Sequence, residues 1–286
     1  MTIALGILTS GGILLAADSE ETYADYVKVD QKKIDLAVHW AQDGLRTALI
    51  TGAGSGHLID AFTQYLEDEI LKDARLKSHN PKSIFDAALV KFYGSHLVPF
   101  QYTREPPDIS LILAYTGDDK HSSLYLSQLN VFVDCRKRRF AAAGIGASQA
   151  MVMLKLLLGD GAYPSLIEAS FIASYVVHVL KQTTSGVGKR TDIRALHGHG
   201  FSTIIPPLSE ELDALVGDYY RDFGLVAFRS VIGTWGLHRL SESALDFRKR
   251  FNELRARLPF KDATPAAPRS PQGSIRGRKR HPPSPG

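Results

Sequence analysis

The chain has 286 residues, of which 44% are hydrophobic, so it is long enough and apolar enough to bury a full core. No stretch approaches the roughly 18 apolar residues of a membrane-spanning helix, and the first residues lack the basic and apolar regions of a signal peptide. The formal net charge is +4, and Cys135 is the only cysteine, which excludes an intrachain disulfide. We therefore expect a cytoplasmic protein with one large domain.

The positive charge is concentrated at the C-terminal end of the chain. Residues 261–286 contain six lysines or arginines and one aspartate, so the remainder of the chain is close to neutral. Seven prolines lie between Pro259 and Gly286, and this composition cannot build a packed core. We predict that residues 259–286 form a disordered, basic, proline-rich tail.

The first part of the chain is typical of short strands joined by tight turns. Apolar runs cover Ile3 to Leu8 and Ile13 to Ala17, on either side of a Gly-Gly dipeptide that favours a hairpin. A further strand is expected over residues 26–38 and another over residues 46–51. The next segment, Gly52–Gly56, is rich in glycine and precedes a helix with apolar residues at helical spacing.

Helices and strands then follow one another in blocks. Pro81 ends the first helical pattern, and Ser83 can cap a second helix that ends near Tyr93. Two more helices are expected, one opening near residue 144 and one beginning at Ser165. Further strands are expected over residues 109–115, 123–129, 132–142, 190–196 and 202–205. Blocks of this kind favour antiparallel sheets covered by helices over a Rossmann alternation.

The second residue has the chemistry of a nucleophile. Thr2 follows Met1, and a small side chain at this position normally allows the initiator methionine to be removed. The hydroxyl and the free α-amine would then belong to one residue, and an α-amine titrates near pH 8, roughly. Thr2 would therefore carry its own base.

The opening of the chain resembles that of proteasome β-subunits and their bacterial peptidase relatives, which are N-terminal-nucleophile hydrolases. The similar features are Thr-x-x-x-Gly from Thr2, the run Gly-Ile-Leu-Leu-Ala-Ala-Asp-Ser that contains Asp18, and Lys-Lys-Ile with Lys33. This resemblance implies that Thr2 is the catalytic nucleophile, that Lys33 favours its alkoxide, and that Asp18 orients Lys33. Lys32 remains the alternative, because only one of two neighbouring strand residues faces Thr2.

The resemblance also implies a fold and an activity. Residues 1–206 would form an α+β domain, the four-layer αββα sandwich of this family, and residues 207–258 read as a helical C-terminal extension. The implied activity is that of a threonine-type endopeptidase acting on peptides or unfolded proteins, without a cofactor or a metal ion. The implied assembly is a ring of identical subunits, served in some relatives by an ATP-dependent unfoldase.

Two glycine-rich turns complete the implied site, with two departures from the family pattern. The amide of Gly54 would be the oxyanion donor, a role that suits glycine because the backbone must approach the substrate closely. Ser185 matches a serine of the family, but Gln182 stands where the family has aspartate and Ile145 where it has serine. These losses motivate the alternative of a weakly active or inactive protein kept for assembly or binding.

Two other motifs suggest different chemistry. The segment Gly52–Gly56 resembles the nucleotide loop of short-chain dehydrogenases, which would make the protein an oxidoreductase, but His57 occupies the place of the last required glycine. His197 and His199 offer two metal ligands without a third, so a glycine-rich turn between strands is the favoured interpretation.

Overall fold

The computed structural model describes residues 2–23, 27–30, 32–41, 44–76, 81–100, 108–116, 122–197, 200–223 and 237–260. Within these ranges the chain is α+β, with two five-stranded antiparallel sheets, a two-stranded hairpin and six α-helices. None of the helices in this part of the chain combines the length and the apolar character needed to span a lipid bilayer.

The elements alternate in blocks of strands and helices. The strands are β1 (Ile3–Thr9), β2 (Gly12–Asp18), β3 (Glu20–Tyr23), β4 (Val27–Asp30), β5 (Ile34–Ala41), β6 (Gly44–Gly54), β7 (Ile109–Thr116), β8 (Ser122–Gln128), β9 (Val131–Asp134), β10 (Phe140–Gly144), β11 (Thr191–His197) and β12 (Gly200–Thr203). The helices are α1 (Gly56–Leu76), α2 (Pro81–Phe92), α3 (Ala147–Leu158), α4 (Leu166–Thr183), α5 (Pro206–Asp218) and α6 (Leu237–Arg255).

The two large sheets are each built from neighbouring antiparallel strands. The first sheet has the order β10-β1-β2-β11-β12, and the second has the order β5-β6-β7-β8-β9. Strands β3 and β4 pair only with each other among the described strands. The start of β1 therefore lies inside the first sheet, between the edge strand β10 and the central strand β2.

In the part of the chain that the structure describes, buried apolar side chains form three clusters. One joins the first sheet to helices α3, α4 and α5, a second joins the second sheet to α1 and α2, and a third is shared by the two sheets. Strand β1 is buried on both faces. Ile3 and Leu5 join the helix-side cluster, while Ala4 and Leu8 join the cluster between the sheets, so its sequence is apolar throughout.

Two of the predicted strands are each divided between different sheets. The run expected over residues 26–38 forms β4 and β5, and the run expected over residues 132–142 forms β9 and β10. Both breaks fall at charged residues, Lys32 and Lys33 in the first run and Arg136 to Arg139 in the second. A charged residue also suits a solvent-facing strand position, so the pattern alone does not decide where a strand ends.

The predicted N-cap is confirmed for helix α4 and is wrong for helix α2. The hydroxyl of Ser165 accepts a hydrogen bond from the Glu168 N–H at 3.2 Å, and the Glu168 carboxylate accepts one from the Ser165 N–H at 2.7 Å. This reciprocal pair is a capping box that begins α4 as expected. Ser83, in contrast, does not cap α2, which begins at Pro81, a position where the missing N–H costs nothing.

Helices α5 and α6 cover part of the predicted extension and pack against α4. The ring of Phe171 on α4 lies 5.4 Å from the rings of both Phe247 and Phe251 on α6, measured between centroids. The domain boundary at residue 206 stays a prediction. Residues 261–286, almost all of the predicted tail, lie outside the described residues.

Candidate active site

Three of the predicted site residues come together from three different elements. Thr2 immediately precedes β1, Asp18 ends the adjacent strand β2, and Lys33 immediately precedes β5 of the second sheet. The pairing of Ala4 with Ala17 brings the start of β1 beside the end of β2. Contact between the two sheets then brings Lys33 to the same place.

The ammonium group of Lys33 is the centre of this cluster. Its Nζ donates to the Thr2 hydroxyl oxygen at 2.8 Å and lies 3.4 Å from Asp18 Oδ1, and it also donates to the carbonyl of Glu20. Only 10% of the Lys33 side chain is exposed. Lys32, in contrast, is 51% exposed and pairs with Asp35 at 3.7 Å, so Lys33 is the lysine that contacts Thr2.

Asp18 is fully buried, and both oxygens of its carboxylate accept hydrogen bonds. The Ile3 N–H donates to Oδ1 at 2.9 Å, and the Gly188 N–H donates to Oδ2 at 3.1 Å. Burial raises the pKa of Asp18, whereas the charge of Lys33 and the two backbone N–H groups act in the opposite direction. Lys33 and the two amides thus offset part of the cost of burying this carboxylate.

The backbone of Thr2 is held by the turn that follows β10. The Ile145 N–H donates to the Thr2 carbonyl oxygen at 3.1 Å. Gly144 has a φ of +104°, and a Cβ there would lie 1.9 Å from the same oxygen, so this position requires glycine. The site therefore uses the backbone of Ile145, while the Ile145 side chain is 48% exposed and supplies no polar group.

The other two predicted site residues are less closely joined to Thr2. Gly54 ends β6 as an exposed residue with a φ of +119°, and the methyl group of its neighbour Ala53 lies beside Gly144. Ser185 is exposed in the turn after α4. Among the described residues, neither makes a hydrogen bond to Thr2, so both roles stay predictions.

The fold does not support the nucleotide-loop motif or the metal site suggested by the two histidines. Gly52–Gly54 are strand residues of β6, which pairs antiparallel with β5 and β7, whereas a nucleotide loop follows a strand of a parallel sheet. No group of three or more metal-ligating side chains occurs in the ranges that the structure covers. His199 lies outside those ranges, and His197 Nε2 is 2.9 Å from Ser202 Oγ across the end of the β11–β12 pair.

Three backbone groups in this site could not be predicted from the sequence. They are the Gly188 N–H on Asp18, the Ile145 N–H on Thr2 and the Glu20 carbonyl on Lys33. Every residue but proline carries an N–H, so residue identity alone gives no signal for such contacts. Only the path of the chain reveals them.

Comparisons with known proteins give structural neighbours but no sequence relatives. No protein-family model and no curated protein matches the chain. Its fold is similar to that of an Anbu (Gly-1) mutant from Hyphomicrobium sp. strain MC1, with a TM-score of 0.61 and 15% identity over 78% of this chain and 96% of that chain. Another structure of Anbu from the same strain gives a TM-score of 0.58 and 14% identity, over 77% of this chain and 95% of that chain.

A third neighbour comes from a different organism. Anbu (ancestral beta-subunit) from Yersinia bercovieri gives a TM-score of 0.58 and 13% identity, over 79% of this chain and 95% of that chain. The chain has the fold of the Anbu proteins. At identities of 13–15% this likeness shows the fold alone.

One prediction from the sequence is wrong. The opening residues suggested a member of the proteasome β-subunit peptidase family, but no family model matches the sequence. The structural neighbours named above are Anbu proteins, and their low identity adds no sequence evidence. The short motifs around Thr2, Asp18 and Lys33 do not suffice to assign a peptidase family.

Proposed function

We propose that the protein hydrolyses peptide or other amide bonds, with Thr2 as an N-terminal nucleophile after removal of Met1. The observation that carries this proposal is the contact of the Lys33 ammonium with the Thr2 hydroxyl at 2.8 Å, beside the buried Asp18. A hydroxyl, an adjacent cation and a buried carboxylate are the groups that activation of a threonine nucleophile requires. The residue that carries the hydroxyl also supplies the α-amine as base.

The reaction follows from these groups. The Thr2 hydroxyl oxygen attacks the substrate carbonyl carbon, and its proton passes to the α-amine directly or through a water molecule. The tetrahedral intermediate collapses to an ester on Thr2 as the leaving amine takes that proton. Water then attacks the ester with the α-amine again as base, and the carboxylic acid product leaves. The Gly54 amide is the proposed donor to the oxyanion in both steps.

Lys33 acts through its charge in this mechanism. Its ammonium donates to three oxygens, those of Thr2, Asp18 and Glu20, which matches the three N–H donors of a lysine side chain. An ammonium surrounded by acceptors and paired with a carboxylate is held in its charged form. It therefore lowers the energy of the Thr2 alkoxide and is not the proton acceptor.

A second candidate function is a binding or assembly protein with little turnover. The observation in its favour is that, in the described structure, the side chains at the two positions that depart from the family pattern make no hydrogen bond to Thr2. Ile145 is apolar, and Gln182 is an exposed residue in the last turn of α4 without a hydrogen bond to Thr2 in the described structure. Fewer polar groups would then orient the α-amine and its water.

The same proposal includes an architecture and an assembly. The three buried clusters support a four-layer order of helices, sheet, sheet and helices. The description of the Yersinia protein as an ancestral beta-subunit supports assembly into an oligomer. A homo-oligomeric ring in the cytoplasm is the form that we propose for it. Peptides or unfolded proteins delivered by an ATP-dependent unfoldase are the proposed substrates.

A β-lactone or epoxyketone probe tests the proposed function. We expect the intact mass of the purified protein to lack Met1, and one probe molecule to be bound to Thr2. Thr2→Ser should keep the labelling and Thr2→Ala should lose it. Thr9→Ala is the matched control, since Thr9 lies at the other end of β1 with its hydroxyl on the Gly12 carbonyl at 2.9 Å. Retention of Met1, or labelling that survives Thr2→Ala, would refute the mechanism, and a processed but unlabelled protein would favour the second candidate.

A further inference from the structure

A carboxylate on α5 holds the first residue of β11 in place. Asp213 Oδ2 accepts from the Thr191 N–H at 2.9 Å, and Asp213 Oδ1 accepts from the Thr191 hydroxyl at 2.8 Å. Lys181 on α4 donates to the Thr191 hydroxyl oxygen and to Asp213 Oδ2, each at 3.0 Å. We call Asp213, Thr191 and Lys181 the Asp213 clasp.

The clasp lies next to the candidate active site. Thr191 is fully buried and stands opposite Asp18 in the pairing of β11 with β2. Gly188, three residues earlier, donates its N–H to Asp18 Oδ2 at 3.1 Å. The Ser19 N–H donates to the Arg190 carbonyl at 3.0 Å. The segment from residue 188 to residue 191 therefore runs along the end of β2 that carries Asp18.

The clasp is one of the contacts that hold this segment in position. It lies between α4 and β11 and belongs to no helix or strand before Thr191. The Thr191 N–H is bonded to Asp213, so the clasp acts together with the pairing of Thr191 and Asp18 to fix the point at which β11 begins. Movement at Thr191 would change the position of Gly188, because only two residues separate them.

We propose that Asp213 is a positioning residue for Asp18: through Thr191, it keeps the N–H of Gly188 on the Asp18 carboxylate. Asp213 touches neither Thr2 nor Lys33 in the described structure, so it acts through the segment and is not itself catalytic. This inference rests on the proposed function, in which Asp18 keeps Lys33 charged. It assigns helix α5, within the predicted C-terminal extension, to the support of the active site.

Other charged groups face the same region and limit how the effect is tested. Lys33 contacts Asp18, and the Glu20 carboxylate lies against the Cα of Gly188. Arg190 pairs with Asp30 at 2.8 Å. Changes at any of these residues would alter the charge beside Asp18 directly. A substitution at Asp213 or Thr191 leaves the charges of these residues unchanged and alters the clasp directly.

The test compares Asp213→Asn with Thr191→Ser, which keeps the hydroxyl, and with Glu211→Gln. Glu211 is a matched control because it lies on the same helix and pairs with Arg257 at 2.5 Å. The first readout is the titration of the Asp18 carboxyl carbon by carbon-13 NMR, which does not require a reactive Thr2. The second readout is the rate of probe labelling as a function of pH.

We expect Asp213→Asn to raise the midpoint of the Asp18 titration by about one pH unit, since a carboxylate that loses an N–H donor is protonated more easily. The pH midpoint of the loss of labelling that Asp18 causes should rise by the same amount. The Thr191→Ser and Glu211→Gln variants should match the wild type in both readouts. If Asp213→Asn does not fold, Thr191→Val replaces it, with a smaller rise expected because the Thr191 N–H remains. An unchanged Asp18 titration in either folded variant would overturn the inference. A wild type without labelling at any pH would overturn the proposed function instead, while the NMR titration still decides the role of Asp213.

Discussion

The ammonium nitrogen of Lys33 lies 2.8 Å from the hydroxyl oxygen of Thr2, although 31 positions separate these residues in the chain. Thr2 precedes the interior strand β1 of the first sheet, and Lys33 precedes β5, the edge strand of the second. The contact therefore depends on the way in which the two sheets face each other. Substitutions at either residue test the site and the contact between the sheets together.

Replacing Lys33 by methionine should nearly abolish probe labelling of Thr2. The substitution keeps most of the aliphatic stem but removes the charge that favours the Thr2 alkoxide. We expect the labelling rate to fall at least about 100-fold, as on removal of a donor that stabilises a developing negative charge. Lys32→Met is the control, because Lys32 is 51% exposed and pairs with Asp35, and its rate should stay within about threefold of the wild type. A larger loss in Lys32→Met than in Lys33→Met would contradict the geometry.

The labelling rate should also fall in mild acid while the protein remains folded. Burial raises the pKa of Asp18, so this carboxylate gains a proton at a pH above the value of about 3.9 for an ordinary aspartate. Protonation removes the counter-ion of Lys33 and so weakens the activation of Thr2. Protonation of the Thr2 α-amine, which titrates near pH 8, roughly, lowers the rate in every variant. The Asp18→Asn variant should have a low rate and should lack only the further loss at lower pH that Asp18 causes.

The effect of Asp18 on stability has the opposite sign. Because its pKa is higher in the folded state than in the unfolded chain, its stabilising contribution is present below the ordinary aspartate pKa and is lost as the pH rises through the raised value. Acidification through that range should therefore reduce labelling without unfolding the protein through Asp18. Labelling rates and far-UV circular dichroism on the same samples check this expectation. An acid limb that coincides with unfolding would contradict it.

Side chains with distinctive chemistry were the part of the site that the sequence could predict. Three short motifs point to Thr2, Asp18 and Lys33, and the structure brings these side chains together. The sequence left Lys32 open as an alternative, since the register of β5 relative to Thr2 depends on a long-range contact. The fold was predicted in outline for a similar reason, because blocks of strands and helices are local patterns whereas their assignment to sheets is not.

Features that depend on backbone path could not be predicted in the same way. The Gly188 N–H reaches Asp18 across 170 positions in the chain, and the Ile145 N–H reaches Thr2 from the turn after β10. The motif match also suggested a peptidase family that no family model supports. Short patterns around Thr2 identify a possible chemistry, but the rest of the chain decides the family.

Gly144→Ala should destabilise the protein and disorder the region around Thr2. An alanine Cβ at this position would lie 1.9 Å from the Thr2 carbonyl oxygen, and the φ of +104° is unfavourable for any residue with a side chain. We expect the free energy of unfolding to fall by at least about 2 kcal/mol, measured by urea denaturation. Gly94→Ala is the control, since a Cβ there has no atom within 4 Å and the change should be within about 0.5 kcal/mol. Equal losses in the two variants would contradict the close approach at Gly144.

Cys135 should be nearly inert in the folded protein. Its thiol is buried and faces the Val133 carbonyl at 3.6 Å, and burial raises its pKa to about 11. The reactive thiolate is therefore scarce at pH 8, and alkylation by iodoacetamide should be at least about 100-fold slower than in guanidinium chloride. Because the unfolded thiol loses its proton at a lower pH than the folded one, the stabilising contribution of Cys135 should decline as the pH rises above about 9. A folded-state rate close to the unfolded rate would show that the thiol is accessible.

Phe247→Ala should weaken the packing of α6 on the body of the protein. The Phe247 ring lies 5.4 Å from Phe171 on α4 and 4.6 Å from Tyr219, measured between ring centroids. Removing a partly buried ring from this cluster should lower the free energy of unfolding by about 2–4 kcal/mol, measured by urea denaturation. Leu245→Ala is the matched control on the same helix, because Leu245 is 64% exposed and its loss should cost less than about 0.5 kcal/mol. If both variants unfold like the wild type, α6 contributes little to the stability of the body and behaves as a separate unit.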